Sequence, residues 1–245
     1  RDAFNAEVPI LELIEWQRQQ KAFEGLAGFY VGTANLTLDE TVERYSGAFI
    51  SANAFDLLRV DAAMGRTLDP ADDLAESPDV IVLSNKIWKR DLGQDPDIIG
   101  KTAILNGRSV TIVGVMPDEF SFPVNEDLWV PLLKQQKPST LSWGETGMSL
   151  EVFGRMKEGV NFDGARSSMT LVARNIENAH PDTNEGFRDI QVQPFIDEFL
   201  GDQTSAMTAI MLLITVLILI IACANVANLL PVSYTHLRAH ETKAN

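Results

Sequence analysis

Between Ala206 and Leu230 the chain runs AMTAIMLLITVLILIIACANVANLL, without a single charged residue. As a helix rising about 1.5 Å per residue it reaches about 37 Å, more than the roughly 30 Å hydrocarbon core of a bilayer. A buried helix of a soluble protein stops short of such a length and keeps a polar stripe. Here the polar side chains are Thr208, Thr215, Asn225 and Asn228. The stretch at 206–230 therefore reads as a transmembrane helix embedded in a lipid bilayer. A secretory signal peptide is excluded by its length and its C-terminal position. Residues 1–205 have the mixed composition of a folded domain, and 231–245 form a short tail.

The residues up to Leu200 hold 18 Lys+Arg and 32 Asp+Glu, so the whole net charge of −14 lies ahead of the span. Such an acidic surface repels phosphates, which excludes nucleic acid as a partner and disfavours anionic headgroups. Beyond the span Arg238 and Lys243 outnumber Glu241. That asymmetry puts the tail inside and the acidic domain outside. The only cysteine, Cys223, lies within the span, so no internal disulfide can form. A domain of about 200 residues buries enough apolar surface to stand without staples. These features fit a bacterial envelope protein better than an animal cell-surface receptor.

Along the domain, Ile10, Leu13, Ile14, Phe23 and Leu26 recur at helical spacing, which predicts a helix over about 8–26. Residues 28–38 and 41–51 read as two strands joined at Asp39-Glu40, and Ser51 as the N-cap of a short helix ending near Leu58. Asp69 to Asp79 is a Pro-bounded acidic loop. A β-branched run over 79–83 precedes Ser84, the N-cap of a helix ending near Leu92, and Gly93-Gln94-Asp95-Pro96 breaks the chain. Residues 102–105 and 109–115 alternate around Asn106-Gly107, a strong tight-hairpin signal, and Met116-Pro117 closes the second strand. An extended aromatic segment over 120–133, a strand over 149–156, a helix over 161–179 and a strand over 190–195 complete an α+β domain. The two blocks of helix followed by hairpin look alike in layout, without sequence self-similarity.

Motifs with chemical content are sparse. Gly100-Lys101-Thr102 resembles the end of a P-loop, but the required first glycine is replaced by Asp95, and Asp95 and Asp97 would oppose phosphate. The histidines are His180 ahead of a proline and His236 and His240 in the tail, without a cysteine partner for a metal. Asp69, Asp72, Asp73 and Glu76 lack the spacing of a Ca²⁺ loop and read as a solvated charge run. Trp16, Trp88, Trp129 and Trp143 read as core anchors rather than a ligand-stacking surface. No nucleophile set stands out, so the chain reads as non-catalytic, with no cofactor and no bound metal. Asn225 and Asn228 share a helical face inside the span, and two amides in hydrocarbon call for neighbouring transmembrane helices.

Several runs in order resemble the MacB-like periplasmic core domain of bacterial ABC transporter permeases in the FtsX superfamily. They are Gly47 to Phe55, Met64-Gly65-Arg66-Thr67, Val82-Leu83-Ser84 with Ile87 to Arg90, Ile99 to Thr102, and Asn106-Gly107. Val113 to Pro117 with Phe120 and Phe122-Pro123, then Asp127 to Leu132, continue the set, and Ala222 to Leu230 looks like the second transmembrane helix of such permeases. The resemblance implies a subunit with four transmembrane helices whose extracytoplasmic domain, porter-like with an inserted second lobe at about 84–146, lies between helices one and two. It also implies a separate or fused cytoplasmic ABC ATPase, a second permease copy or homologous half, and a periplasmic adaptor as partners. The site would be the bacterial inner membrane, and the role export or envelope remodelling. Gly65 and Gly114 are expected at turns or close backbone approaches, Asn106, Gly107 and Pro117 at turns, and Asn225 and Asn228 in helix packing. After Leu230 the pattern is lost and Pro231 would break the helix. A frameshift, read-through or artefact would give such a tail, and the chain is expected to be a fragment.

The alternative reading is a single-span membrane-anchored extracytoplasmic sensor or ligand-binding protein. A third, an anchored hydrolase, needs a nucleophile or metal set not visible in the sequence.

Overall fold

The computed structural model describes residues 8–38, 41–143, 148–184, 190–195 and 207–227. The chain divides into two compact units, Arg1–Val192 and Gln193–Asn245.

The first unit opens with α1 (Ile10–Gln19), whose Ile10, Leu13 and Trp16 bury one stripe. The helix stops well before Leu26. Phe23 and Leu26 obey helical spacing but belong to β1 (Phe23–Leu38), where their backbones pair with Met156 and Gly154 of β8 (Glu151–Met156). Tertiary pairing overrides local periodicity here. β1 and β2 (Thr41–Ile50) form the expected antiparallel ladder, from Phe29↔Ile50 to Leu38↔Thr41. The Asp39-Glu40 turn lies outside the described residues. Tyr30 and Phe49, directly opposite each other, stack with ring centroids 4.7 Å apart.

Next come α2 (Ala54–Leu58), the two-residue β3 (Met64–Gly65), a 3₁₀ turn at Pro70–Asp73, β4 (Val80–Leu83) and α3 (Asn85–Arg90). Ser51 does not cap α2. The helix begins after Asn53, and the Ser51 hydroxyl instead accepts the Gly28 amide at 3.0 Å and donates to the Gly28 carbonyl, tying the end of β2 to β1. Ser84 does cap α3, accepting the Ile87 amide at 3.3 Å. β5 (Thr102–Leu105) and β6 (Arg108–Val115) form the hairpin around Asn106-Gly107, followed by β7 (Leu128–Pro131) and α4 (Leu132–Gln135). After β8, α5 (Phe162–Ala179) starts from Asn161, whose side chain accepts the Gly164 amide at 2.9 Å, and α6 (Pro181–Asn184) follows it. No strand forms over 190–195. Pro194 lacks a ladder donor, and Ile190 and Val192 pack against the core instead.

All eight strands join one sheet. The order β2-β7-β4-β6-β5-β1 returns to β2 through the β1–β2 pairing, so six of them close into a ring, with β8 extending β1 and β3 laid on β6. The stretch at about 84–146, expected as a second lobe, supplies β5, β6 and β7 of this ring. Closure removes most exposed edges.

Two hydrophobic cores use opposite faces of the same strands. Ile81 and Leu83 of β4 and Leu128 and Val130 of β7 join the first core, with α1 and α5 residues; Val80, Val82 and Trp129 join the second, with Phe55 of α2. Both four-residue strands are buried throughout, so they read as continuous apolar runs rather than alternating ones. Trp129 is fully buried, with Nε1 donating to the Phe122 carbonyl at 2.8 Å and Phe55 and Phe120 at its ring. Burying each such side chain is worth about 1.5–3 kcal/mol.

The second unit contains the helix Met207–Ala227, described below.

Candidate functional site

The loop over 69–79 is held in place from within by Asp72 and Asp73. Asp72 is only 5 % exposed and receives both guanidinium nitrogens of Arg66, at 2.6 and 2.9 Å, along with the Asp69 amide at 2.8 Å. Asp73 accepts the amides of Ala52 and Leu133 at 2.9 and 3.0 Å, joining the β2 end to α4. Lys134, 7 % exposed, caps the same loop by donating to the carbonyls of Ala75 and Ser77. Asp69 and Glu76 are exposed, as a solvated charge run requires, but Asp72 and Asp73 are not; composition alone does not reveal that Arg66 and the Ala52 and Leu133 amides meet these two carboxylates. Burial opposes ionisation of Asp72, but the bonds from Arg66 and the Asp69 amide outweigh it and hold its carboxyl below the ordinary range. At Asp73 burial prevails over its two amide donors and the carboxyl is pushed up.

Arg66 also lies at a tight backbone crossing. Gly65 pairs with Gly114 between β3 and β6. A Cβ on Gly114 would stand 1.9 Å from the Arg66 carbonyl oxygen; one on Gly65, which has φ +69°, would stand 2.2 Å from the Val113 oxygen. Pro117 lies two positions beyond the end of β6, after Met116 has donated its amide to the Leu83 carbonyl at 2.8 Å.

At the hairpin, Asn106 and Gly107 have φ of 50° and 83°, the pair of positive values a tight two-residue turn requires. The Asn106 side chain has a second task that local sequence does not disclose. Its Oδ1 accepts the Asn35 amide at 2.9 Å while the Asn106 amide donates to the Asn35 carbonyl at 2.9 Å, beside the β1–β5 pairs that close the ring.

The helical layer has its own polar lock. Glu12 of α1, 7 % exposed, accepts the Asn184 side-chain amide at 2.9 Å, linking the first helix to α6. Burial raises the Glu12 carboxyl above its ordinary value, only partly offset by that bond. His180, at the end of α5, stacks on Trp143 with ring centroids 3.8 Å apart. His236 and His240 lie outside the described residues. The Lys101 ammonium pairs with Asp95, so this P-loop-like fragment already spends its cation on its own acidic neighbour. Among the described residues no group of three or more His, Cys, Asp and Glu is arranged to hold a metal ion.

Of the second unit, the helix Met207–Ala227 is long and apolar enough to cross a bilayer, about 32 Å by its rise. Its side chains are exposed, as lipid-facing ones must be. Thr215 satisfies its hydroxyl within the helix, on the Met211 carbonyl at 2.8 Å. Asn225 lies on its last turns, and Asn228 outside the described residues.

The geometry thus offers a rigid two-core ring, clasped by ionic and amide locks, joined in sequence to an apolar helix. Of the residues singled out in the sequence, Gly65 and Gly114 come together, Asn106 and Gly107 share a turn, and Pro117 follows the Gly114 strand. Asp73, Lys134, Glu12, Asn184 and Asn35 were missed because each acts through a partner distant in sequence, and the Arg66–Asp72 pair because its six-residue spacing matches no regular element.

Comparison with solved structures finds the same fold in transporter domains, among them two from characterised systems. The periplasmic region of MacB from Actinobacillus actinomycetemcomitans superposes with a TM-score of 0.55 at 17 % identity, covering 75 % of this chain and 79 % of that one. The extracellular domain of the noncanonic ABC-type transporter YknZ from Gram-positive bacteria gives 0.56 at 17 % identity, over 78 % and 92 %. Comparison with curated proteins returns no match. The family model for the MacB-like periplasmic core domain matches residues 3–172. Together with the apolar helix, these findings describe a membrane-anchored protein with an extracytoplasmic domain. The chain belongs to the family of MacB-like periplasmic core domains, found in the permease components of ABC transporters.

Proposed function

We propose that this chain is part of a non-catalytic permease subunit whose extracytoplasmic domain relays ATP-driven motion to export or envelope remodelling. The observation that carries the reading is the family match over residues 3–172, followed in the same chain by the membrane-length helix Met207–Ala227. A relay must move as a body rather than deform. The closed ring supports that requirement, since packed cores transmit displacement with little compression. On this reading residues 1–205 form the extracytoplasmic core domain, 206–230 the membrane helix, and 231–245 a tail without a family role. A cytoplasmic ABC ATPase supplies the energy, a second permease copy or homologous half completes the transmembrane-helix bundle, and a periplasmic adaptor receives the motion. Asn225 and Asn228 join neighbouring helices, where an interhelical amide bond is worth about 0.6–2 kcal/mol. Gly65, Gly114, Asn106, Gly107 and Pro117 serve the rigidity of the ring.

Affinity purification of the native complex from membranes tests the reading. An ATP-binding subunit is expected in stoichiometric amount. A complex that lacks one, and that neither binds nor hydrolyses ATP, contradicts it and favours a single-span sensor.

A further inference from the structure

Of the asparagines in the chain only Asn106 is followed by glycine. An asparagine amide is an electrophile within reach of the next backbone nitrogen, which is one source of the thermal lability of this residue type. A Cβ on the following residue crowds the five-membered ring that such an attack forms, and glycine carries none. At Gly107 a Cβ would meet nothing within 4 Å, and both turn residues are exposed. Neither packing nor burial shields the apex of the β5–β6 hairpin.

What restrains the apex is its clasp to β1. The Asn106 Oδ1 accepts the Asn35 backbone amide at 2.9 Å and the Asn35 side-chain amide at 3.4 Å. The Asn106 amide donates to the Asn35 carbonyl at 2.9 Å. Side chain and backbone of one residue are thus fastened to the same residue of the neighbouring strand. Closing a five-membered ring fixes the Asn106 ψ and χ1 together, whereas the tight turn and the Asn35 bonds already set both for another purpose. Cyclisation of the side chain therefore competes with closure of the sheet.

We propose that Asn106 is a site of spontaneous covalent modification, converted through a cyclic imide to aspartate and isoaspartate, and that its bonds to Asn35 slow the conversion while the sheet is closed. The Gly107 nitrogen gives up its proton to solvent base and bonds to the Asn106 Cγ. The Cγ–Nδ2 bond breaks, and Nδ2 leaves as ammonia with a proton taken from water. Water then opens the imide. Cleavage of the N–Cγ bond gives aspartate, and cleavage of the bond from the same nitrogen to the main-chain carbonyl gives isoaspartate; no oxidant or reductant takes part. Aspartate keeps an oxygen for the Asn35 amide. Isoaspartate routes the main chain through Cβ and Cγ, which lengthens the turn, removes its acceptor and loosens the sheet beside the Leu36↔Leu105 pair of β1 and β5.

The test is incubation of the full chain in detergent micelles at mildly alkaline and mildly acidic pH, followed by tryptic mapping. Cleavage after Lys101 and Arg108 isolates residues 102–108, in which Asn106 is the only asparagine. Two acidic products of this peptide are expected, one of them a substrate for an isoaspartyl methyltransferase. Both should form faster at the alkaline pH, because the Gly107 nitrogen must lose its proton. A synthetic peptide of residues 102–108, which has no Asn35 to bond, should convert about tenfold faster than the folded chain, the factor that one or two hydrogen bonds supply. Gly107→Ala should slow conversion in the folded chain about tenfold or more. Hydrogen exchange at the Asn35 amide should be faster in the isoaspartate form than in the fresh chain. If the folded chain leaves residues 102–108 unconverted over an incubation about a hundred times longer than the free peptide needs, more than those bonds account for, the inference is overturned. Conversion in the folded chain as fast as in the free peptide overturns it as well, since Asn35 would then restrain nothing. The wild-type comparison decides the matter even where the Gly107→Ala variant does not fold.

Discussion

The Asn106 side-chain oxygen accepts the backbone amide of Asn35, 71 residues earlier, at 2.9 Å. One residue thus sets a tight turn through its positive φ and fastens that turn to β1, where the ring closes. The two tasks separate by substitution. Asn106→Gly keeps the left-handed backbone and loses only the acceptor, so it should cost about 1 kcal/mol. Asn106→Ala loses the acceptor as well and keeps a Cβ in the left-handed region without the polar side chain that makes that region tolerable, so it should cost about 2 kcal/mol or more. Chemical denaturation of the detergent-solubilised chain measures both, and equal costs would contradict the division of tasks.

Gly114 and Gly107 make an opposite pair of predictions. A methyl at Gly114 meets the Arg66 carbonyl, a backbone atom that cannot swing away, whereas at Gly107 nothing lies within 4 Å. Gly114→Ala should therefore cost about 3 kcal/mol or prevent folding. Gly107→Ala should cost only its backbone strain, about 1–2 kcal/mol. Thermal unfolding of the two variants side by side is the check.

Asp72 and Glu12 respond to pH with opposite signs. The Asp72 carboxyl is held below its ordinary value, so its contribution is present above the usual aspartate range and is lost as pH falls through the folded value. Arg66→Ala leaves that carboxylate without its bidentate partner, and a loss of about 2 kcal/mol is expected at neutral pH, shrinking in acid. Denaturation midpoints at pH 7 and in the acid limb report this.

The Glu12 carboxyl is raised by burial. The folded state therefore keeps its proton to higher pH than the unfolded chain, and stability declines as pH rises from the ordinary glutamate value, about 4.3, through the folded one. Glu12→Gln retains an acceptor for Asn184 and removes the charge. It should be more stable than wild type at neutral pH and level with it below about pH 4. A Glu12→Gln curve parallel to wild type across that window would show that burial does not govern this carboxyl.

Elements written in local chemistry were legible in the sequence. Ser84 caps its helix, the helix expected from 161 follows Asn161, Asn106-Gly107 turns, and Val80–Leu83 runs as a strand. Each rests on residues within a few positions of one another. The helix predicted to Leu26 ends at Gln19 because Phe23 and Leu26 satisfy two periodicities, and a partner strand more than 100 residues away selects one. Ser51 is misplaced for a similar reason, since its hydroxyl serves Gly28 rather than α2. The acidic loop is the plainest case. Asp72 and Asp73 look solvated until Arg66, Ala52 and Leu133 are brought to them by the fold. The apolar helix needed no fold at all, because length and the absence of charge define it.

ATP-dependent movement of the extracytoplasmic domain tests the central claim most directly. In the native complex, with Cys223 replaced by serine, a spin label at the exposed Val42 of β2 should report the distance between domains of paired subunits. The account predicts one distance distribution without nucleotide and a shifted one with ATP trapped by vanadate. Identical distributions in the two states, with the ATPase demonstrably active, would contradict it.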